Sequence, residues 1–225
     1  MNITKNWFYK LSEIKSSKII IENNLVISIF DDLNKSLEVE LWKDSRLDFY
    51  WFAEKVEDLN INFIQKQEWS QLKVHYLLLS KNNNKLKTKI SSEIKVNNIK
   101  ANLYILSIIW NNWFVDLDGI IKIDNNIEKI NWNLLEENLF LGNKWRVKAV
   151  PTLLVKSNDV KASHSCKMER ISDEKLFYLR SRWIWRQNAL VMMIEAKIKS
   201  LFSCLFMFDN TFYKELVEKI LKKVQ

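Results

Sequence analysis

Glycine is almost missing from this chain: 225 residues hold two, Gly119 and Gly142, beside a single proline, Pro151. An average chain carries roughly 7% glycine. The scarcity excludes glycine-rich phosphate cradles. Neither G-x-G-x-x-G nor a P-loop can be written, so this chain is not expected to bind a nucleotide itself. Histidine and cysteine number two each, and C-x-x-C, H-E-x-x-H and G-x-S-x-G are all absent. Dithiol redox, zinc-protease and serine-hydrolase chemistry are thereby set aside. Cys166 and Cys204 cannot build a disulfide framework and suit a reducing compartment. No window approaches the roughly eighteen apolar residues of a membrane span; the densest run, 201–208, is far shorter. Residues 1–10 lack the apolar core of a secretory signal. We expect a soluble, cytoplasmic protein without a membrane partner.

What is present in excess is positive charge and tryptophan. The net charge is +8. Residues 1–150 hold 21 Lys and Arg against 19 Asp and Glu, and residues 151–225 hold 14 against 8, so the surplus sits towards the C-terminal end. Ten tryptophans are present, and several stand in turn-like company. Trp113 follows Asn111-Asn112, Trp132 lies between Asn131 and Asn133, Trp145 follows Asn143-Lys144, and Trp69 precedes Ser70. Such contexts often need positive φ, which glycine supplies without a steric cost. Trp113, Trp132 and Trp145 are therefore expected to mark glycine positions, as would follow if UGA codons of this gene encode glycine. The other reading is a Trp-rich, basic surface that stacks single-stranded nucleic acid.

From residue 18 to about 170, short runs rich in Ile, Val, Leu, Phe and Tyr recur between polar clusters. Candidate strands cover 19–30, 37–42, 47–52, 61–64, 72–79, 86–96, 101–109, 114–123, 138–141 and 147–155. Several alternate strictly, as in Leu37-Glu38-Val39-Glu40-Leu41, the pattern of a half-buried strand. Asparagine pairs punctuate them and tolerate turn conformations. Such short strands without intervening long helices give an all-β body; pattern alone does not separate a sandwich from a solenoid. Residues 1–17 read as an arm or a short helix.

Helical texture begins after Ile171. Ser172 is the expected N-cap, with Asp173 and Glu174 at the positive end of the helix dipole. A second helix is expected over about 186–206, with Ala189, Met192, Met193, Ala196 and Phe202 along one side. Phe212, Leu216, Val217, Ile220, Leu221 and Val224 form the stripe of a third. His75 and Cys204 lie among apolar neighbours and are assigned to structure.

Between the two textures lies D-V-K-A-S-H, residues 159–164, followed by D-E-K-L-F-Y-L-R-S-R, residues 173–182. With N-L-F-L at 138–141 and V-P-T-L-L-V at 150–155, this stretch resembles the SufB/SufD family of iron–sulfur cluster assembly scaffolds, on the SufD side. The resemblance is strong over 138–200 and loose over 70–137. It implies a right-handed parallel β-helix core, residues 18–170, and a small C-terminal helical domain, residues 171–225. It also implies a non-catalytic scaffold that works with a SufB-like subunit and a SufC-type ATPase, sharing a nascent, transient Fe–S cluster with its partner. No nucleic-acid partner follows from it. An open final coil must be capped or paired with another chain, which a second copy of this one could also do.

Residue by residue, the resemblance places His164 at the cluster-forming interface and gives Arg180, Ser181 and Arg182 to positioning the C-terminal helices that dock the ATPase; the other reading of these three is a solvated basic helix end that complements the dipole. The family continues L-R-S-R with glycine, which adds Trp183 to the expected glycine positions. Where it continues H-G-A-T, this chain has His164-Ser165-Cys166-Lys167. On a strand His164 and Cys166 share one face, and an imidazole and a thiolate so placed can take one soft metal. As a nucleophile–base pair they point in parallel rather than converge, and no third orienting group follows.

Overall fold

The computed structural model describes residues 1–14, 16–54, 58–80, 85–110, 113–141, 145–149 and 151–224. In chain order the strands are β1 (Asn2–Ile3), β2 (Phe8–Lys10), β3 (Lys18–Ile21), β4 (Val26–Asp31) and β5 (Leu37–Leu41). They continue as β6 (Arg46–Ala53), β7 (Leu59–Gln65), β8 (Gln71–Ser80), β9 (Lys85–Ile94) and β10 (Lys100–Ile109). The last are β11 (Trp113–Ile123), β12 (Ile130–Phe140), β13 (Trp145–Ala149), β14 (Thr152–Val155) and β15 (Val160–Arg170). Odd-numbered strands up to β13 stack in one sheet, where β14 also pairs with β11. Strands β2 to β12, even-numbered, and then β15 stack in the other. Every pairing is parallel. The chain therefore winds back and forth between two sheets as a β-solenoid.

Period-two alternation decides what fills it. Leu47, Phe49 and Trp51 of β6, Val74 and Tyr76 of β8, Leu103 and Ile105 of β10 and Trp132 and Leu134 of β12 point inward into one continuous core. The intervening residues of the second sheet are apolar too: Tyr50, Phe52, Leu77, Leu79, Leu106, Ile108 and Leu139 form a second core on its outer face. That face is covered by helices α2 (Arg186–Leu201), α3 (Leu205–Phe208) and α4 (Asn210–Val224), while α1 (Asp173–Arg180) packs against α2. Ile194, Ile198, Leu201, Phe202, Leu205, Leu216, Val217, Ile220 and Val224 supply their side of it. Ser172 caps α1 as expected, its hydroxyl accepting from the Lys175 backbone N–H at 3.3 Å.

Asparagine and aspartate make the corners. Asn24, Asp44, Asn98 and Asn126 recur at the turn from the first sheet into the second with φ of 61, 54, 59 and 59°. Their short polar side chains tolerate that left-handed conformation. Corners of successive coils are tied together: Asn24 N–H donates to Lys43 O at 3.0 Å, and Asp44 N–H to Glu68 O at 3.2 Å.

Several sequence expectations need correction. Residues 1–17 are not an arm or a helix; they add β1 and β2 to the solenoid, with only a 3-10 turn at Leu11–Glu13. The apolar run 19–30 is two strands around the Asn24 corner, because Leu25 and Val26 continue the hydrophobic texture through the turn. Residues 147–155 likewise divide into β13 and β14, and 138–141 is only the end of β12. In α2 the buried face is Ala189, Ile194, Ile198 and Leu201, whereas Met192 is exposed.

Candidate functional site

The second sheet ends at β15, which pairs with β12 along one edge. Its register sets Val160, Ala162, His164, Cys166 and Met168 opposite Ile130, Trp132, Leu134, Glu136 and Asn138. That is the inward-facing column. Val160 and Ala162 pack against the interior core, but from His164 onward the same face is exposed. His164 and Cys166 thus stand side by side on the open rim of the coil, on one face, as the alternation implies.

One layer below, the column turns polar. Glu136 is fully buried, at 0% exposure, and neither carboxylate oxygen has a hydrogen-bond partner among the described residues. Burial, and then the charge of Asp118, push its carboxyl up to about 7. Asn138 is buried too; its Nδ2 donates to Cys166 Sγ at 3.5 Å, while its Oδ1 has no partner among the described residues. Burial and the Glu136 charge push the Cys166 thiol up, against the pull of Asn138. Room for the carboxylate comes from Gly119 on β11. A Cβ there would lie 3.1 Å from Glu136 Oε1 and 2.8 Å from Leu134 Cδ2.

The sequence offered Cys166 and His164 but not Glu136 or Asn138. Their signal was parity: once Ile130, Trp132 and Leu134 are inward, Glu136 must be. Among the described residues no three His, Cys, Asp or Glu side chains gather into a set able to hold a metal ion. The rim supplies part of a ligand set, not all of one.

The other face of the last strands is clamped to a helix. Glu137 takes an ion pair from Lys197 of α2, a second from Lys167 at 3.4 Å and a hydrogen bond from the Tyr104 hydroxyl at 2.6 Å. Burial alone would raise the Glu137 carboxyl, but Lys197 and Tyr104 hold it down at about 2. This clamp fixes β15 by its outer face and leaves the rim free.

Arg180, Ser181 and Arg182 close α1 away from the rim motif in sequence. The Ser181 hydroxyl donates to Tyr178 O at 2.7 Å. The Arg182 guanidinium donates to the Tyr178 hydroxyl at 2.9 Å and lies 5.1 Å from the centre of that ring. Phe177, Tyr178, Trp183 and Trp185 surround them, all exposed. Arg180, Trp183, Ile184, Trp185 and Arg186 line a shallow groove.

The four expected glycine positions separate. Trp183 has φ of 64° and is 94% exposed, a conformation and a setting that suit glycine. Trp132 is not in a turn: it lies within β12, fully buried, opposite Ala101 and Ala162 on the neighbouring rungs. Its flanking asparagines face outward, Asn133 Nδ2 donating to Asn102 Oδ1 at 3.1 Å, and so imitate a turn in the sequence. Trp113 and Trp145 begin paired strands, β11 and β13; their side chains, and the asparagines before Trp113, lie outside the described residues.

The family model described as "SUF system FeS cluster assembly, SufBD core domain" matches residues 34–197. This chain belongs to the SufBD core family. Over 79 residues it is 38% identical to the iron-sulfur cluster assembly protein SufD of Escherichia coli strain K12, covering 35% of this chain and 19% of that protein. SufD of Bacillus subtilis strain 168 is 35% identical over 77 residues, 34% of this chain and 18% of the relative. The SufBD family protein slr0076 of Synechocystis is 30% identical over 78 residues, 35% of this chain and 17% of the relative. The matched stretches thus span less than a fifth of each of these SufBD proteins. No helix among the described residues is long and apolar enough to cross a membrane.

Proposed function

We propose that this SufBD-family chain is a SufD-like scaffold subunit for iron–sulfur cluster assembly. It would pair with a SufB-like subunit and a SufC-type ATPase and perform no turnover of its own. The observation that carries the reading is the placement of His164. A lone histidine on an apolar face is ordinarily a core residue, yet this one stands exposed on the terminal parallel strand, where a second subunit can reach it.

In that role the imidazole supplies one neutral nitrogen ligand, and the partner supplies what the rim lacks. An unpaired strand edge is a ready template for another chain, so the same strand offers both the backbone and the ligand. The exposed aromatic and arginine cluster around Arg180, Ser181 and Arg182 is the proposed seat of the ATPase. Aromatic and arginine side chains are enriched where interfaces form. The iron and sulfide are cargo in this scheme, held only while the partners are assembled.

The test is co-expression with a SufB-like protein and a SufC-type ATPase, followed by anaerobic reconstitution. The triple complex should form with wild-type chain and with His164→Ala. Cluster absorbance should be lost in the variant alone. Equal cluster formation by His164→Ala would remove the histidine from the mechanism, and failure of the wild-type complex to form would remove the scaffold reading itself.

A further inference from the structure

We infer that Cys166, Glu136 and Asn138 form a half-site for a borderline-soft divalent cation, iron(II) by chemical class, just inside the open rim. The inference deepens the scaffold reading above by naming a second metal contact in this chain. It rests on register rather than on resemblance, since the family carries a small, unreactive residue where this chain has Cys166.

The geometry leads there in three steps. Glu136 and Cys166 are direct partners on adjacent parallel strands and point to the same side. Neighbouring strands lie about 4.8 Å apart, so two such side chains can bind one ion. The buried atoms that await a partner beside them are Glu136 Oε1 and Oε2 and Asn138 Oδ1, all acceptors. A donor or a cation is what satisfies acceptors, and a buried carboxylate left alone is a standing cost. Last, the site is open on one side: Cys166 is exposed while Glu136 beneath it is sealed, so an ion can enter from the rim and be held from below. Thiolate sulfur with carboxylate oxygen suits Fe(II), Co(II) and Zn(II) over Mg(II) or Ca(II). The remaining positions belong to water or to the facing subunit.

Cobalt(II) is the probe, added to the purified chain under reducing conditions and followed by thiolate-to-cobalt charge-transfer absorption. Wild-type chain should give the band at one equivalent, Cys166→Ser should abolish it, and Glu136→Gln should weaken binding by at least about tenfold. Cys204→Ser should leave it unchanged. Glu136→Leu should lose the ion yet melt higher than wild type, because it removes a buried carboxylate without a partner. That melting curve, with far-UV circular dichroism, separates a lost ligand from a lost fold. A wild-type chain without the band, a band of undiminished affinity in folded Glu136 variants, or one that follows Cys204 overturns the half-site. These results are independent of complex formation: the wild-type chain can give the band where no complex forms, and Glu136→Gln can weaken it while the three-subunit complex still forms.

Discussion

Trp69 occupies a place that only the folded chain reveals. In the column of corners where other coils put Asn24, Asp44, Asn98 and Asn126, it too has positive φ, 64°, and it is exposed. A left-handed conformation costs a residue with a Cβ roughly 1–2 kcal/mol, and asparagine and aspartate escape part of that through local hydrogen bonds. Indole has no such recourse. Trp69→Gly and Trp183→Gly should each raise stability by about 0.5–1 kcal/mol in chemical denaturation, after the greater freedom of glycine in the unfolded chain is allowed for. Trp132→Gly should lower it by about 3–5 kcal/mol, since it empties a filled interior. If UGA is glycine in this gene, the mass of the native protein will report glycine first at 69 and 183. The sequence set Trp69 in turn-like company beside Ser70 and marked Trp183 through its motif; that Trp69 shares one column with the other corners is visible only when coils are aligned. His75 gives the second test at this scale. It stacks on Tyr50 at 4.8 Å between ring centres, and both ring nitrogens are buried without hydrogen-bond partners among the described residues. Burial lowers its pKa to about 4. The unfolded chain takes up that proton near pH 6.5, so stability is full above this and falls as pH drops towards 4, by about 2–3 kcal/mol. His75→Phe should flatten that part of the pH–stability curve; an unchanged slope would mean that the ring is already protonated in its stack.

Among the elements, α4 was the most legible and α2 the least. The α4 stripe of Leu216, Val217, Ile220 and Val224 is buried as its period requires, because apolar and charged residues alternate cleanly along it. In α2 almost every position from 189 to 198 is apolar or small, so the period has little contrast and the buried side is set by what the outer sheet face presents. The strand ends suffered similarly: hydrophobic residues run through corners at Leu25-Val26, and outward asparagines interrupt β12. What α2 contributes beyond burial is the charge clamp. Lys197 bridges Glu137 on β12 and, at 3.6 Å, Glu169 on β15. Replacing it by methionine keeps the packing but takes one charged donor from a mostly buried carboxylate that retains Lys167 and the Tyr104 hydroxyl, a loss of about 1–2 kcal/mol. Lys197→Met should lower the midpoint by that order and expose the last strands to limited proteolysis. Because the Glu137 carboxyl is held near 2, the contribution is complete above the unfolded value of about 4.3 and disappears as pH falls towards 2. The wild-type and Lys197→Met curves should therefore converge in acid.

For the molecule as a whole, the coils grow along the chain. Residues in register are 20 apart at Val26 and Arg46, 25 at Arg46 and Gln71, 29 at Gln71 and Lys100, 31 at Lys100 and Asn131, and then 30 at Asn131 and Lys161. A solenoid with a constant rung would have left a repeat in the sequence. This one widens, so strand content was readable and the winding was carried by the resemblance alone. Widening also has a consequence for assembly, since the broadest coils stand at the end where β15 is open. Eleven residues of β15 pair with β12 on one side, and most of them are exposed. An edge of that length invites pairing unless it is covered. Hydrogen exchange of the chain alone should show residues 160–170 as the least protected strand of the second sheet. On addition of a SufB-like partner, protection there should rise by roughly tenfold or more, as expected if opening of the edge becomes linked to dissociation. Concentration-dependent protection of the same peptides without a partner, accompanied by a doubled mass in light scattering, would assign the edge to a second copy of this chain. Protection confined to residues 173–186 would move the docking surface from the strand to the aromatic groove, and His164 would lose its place at an interface.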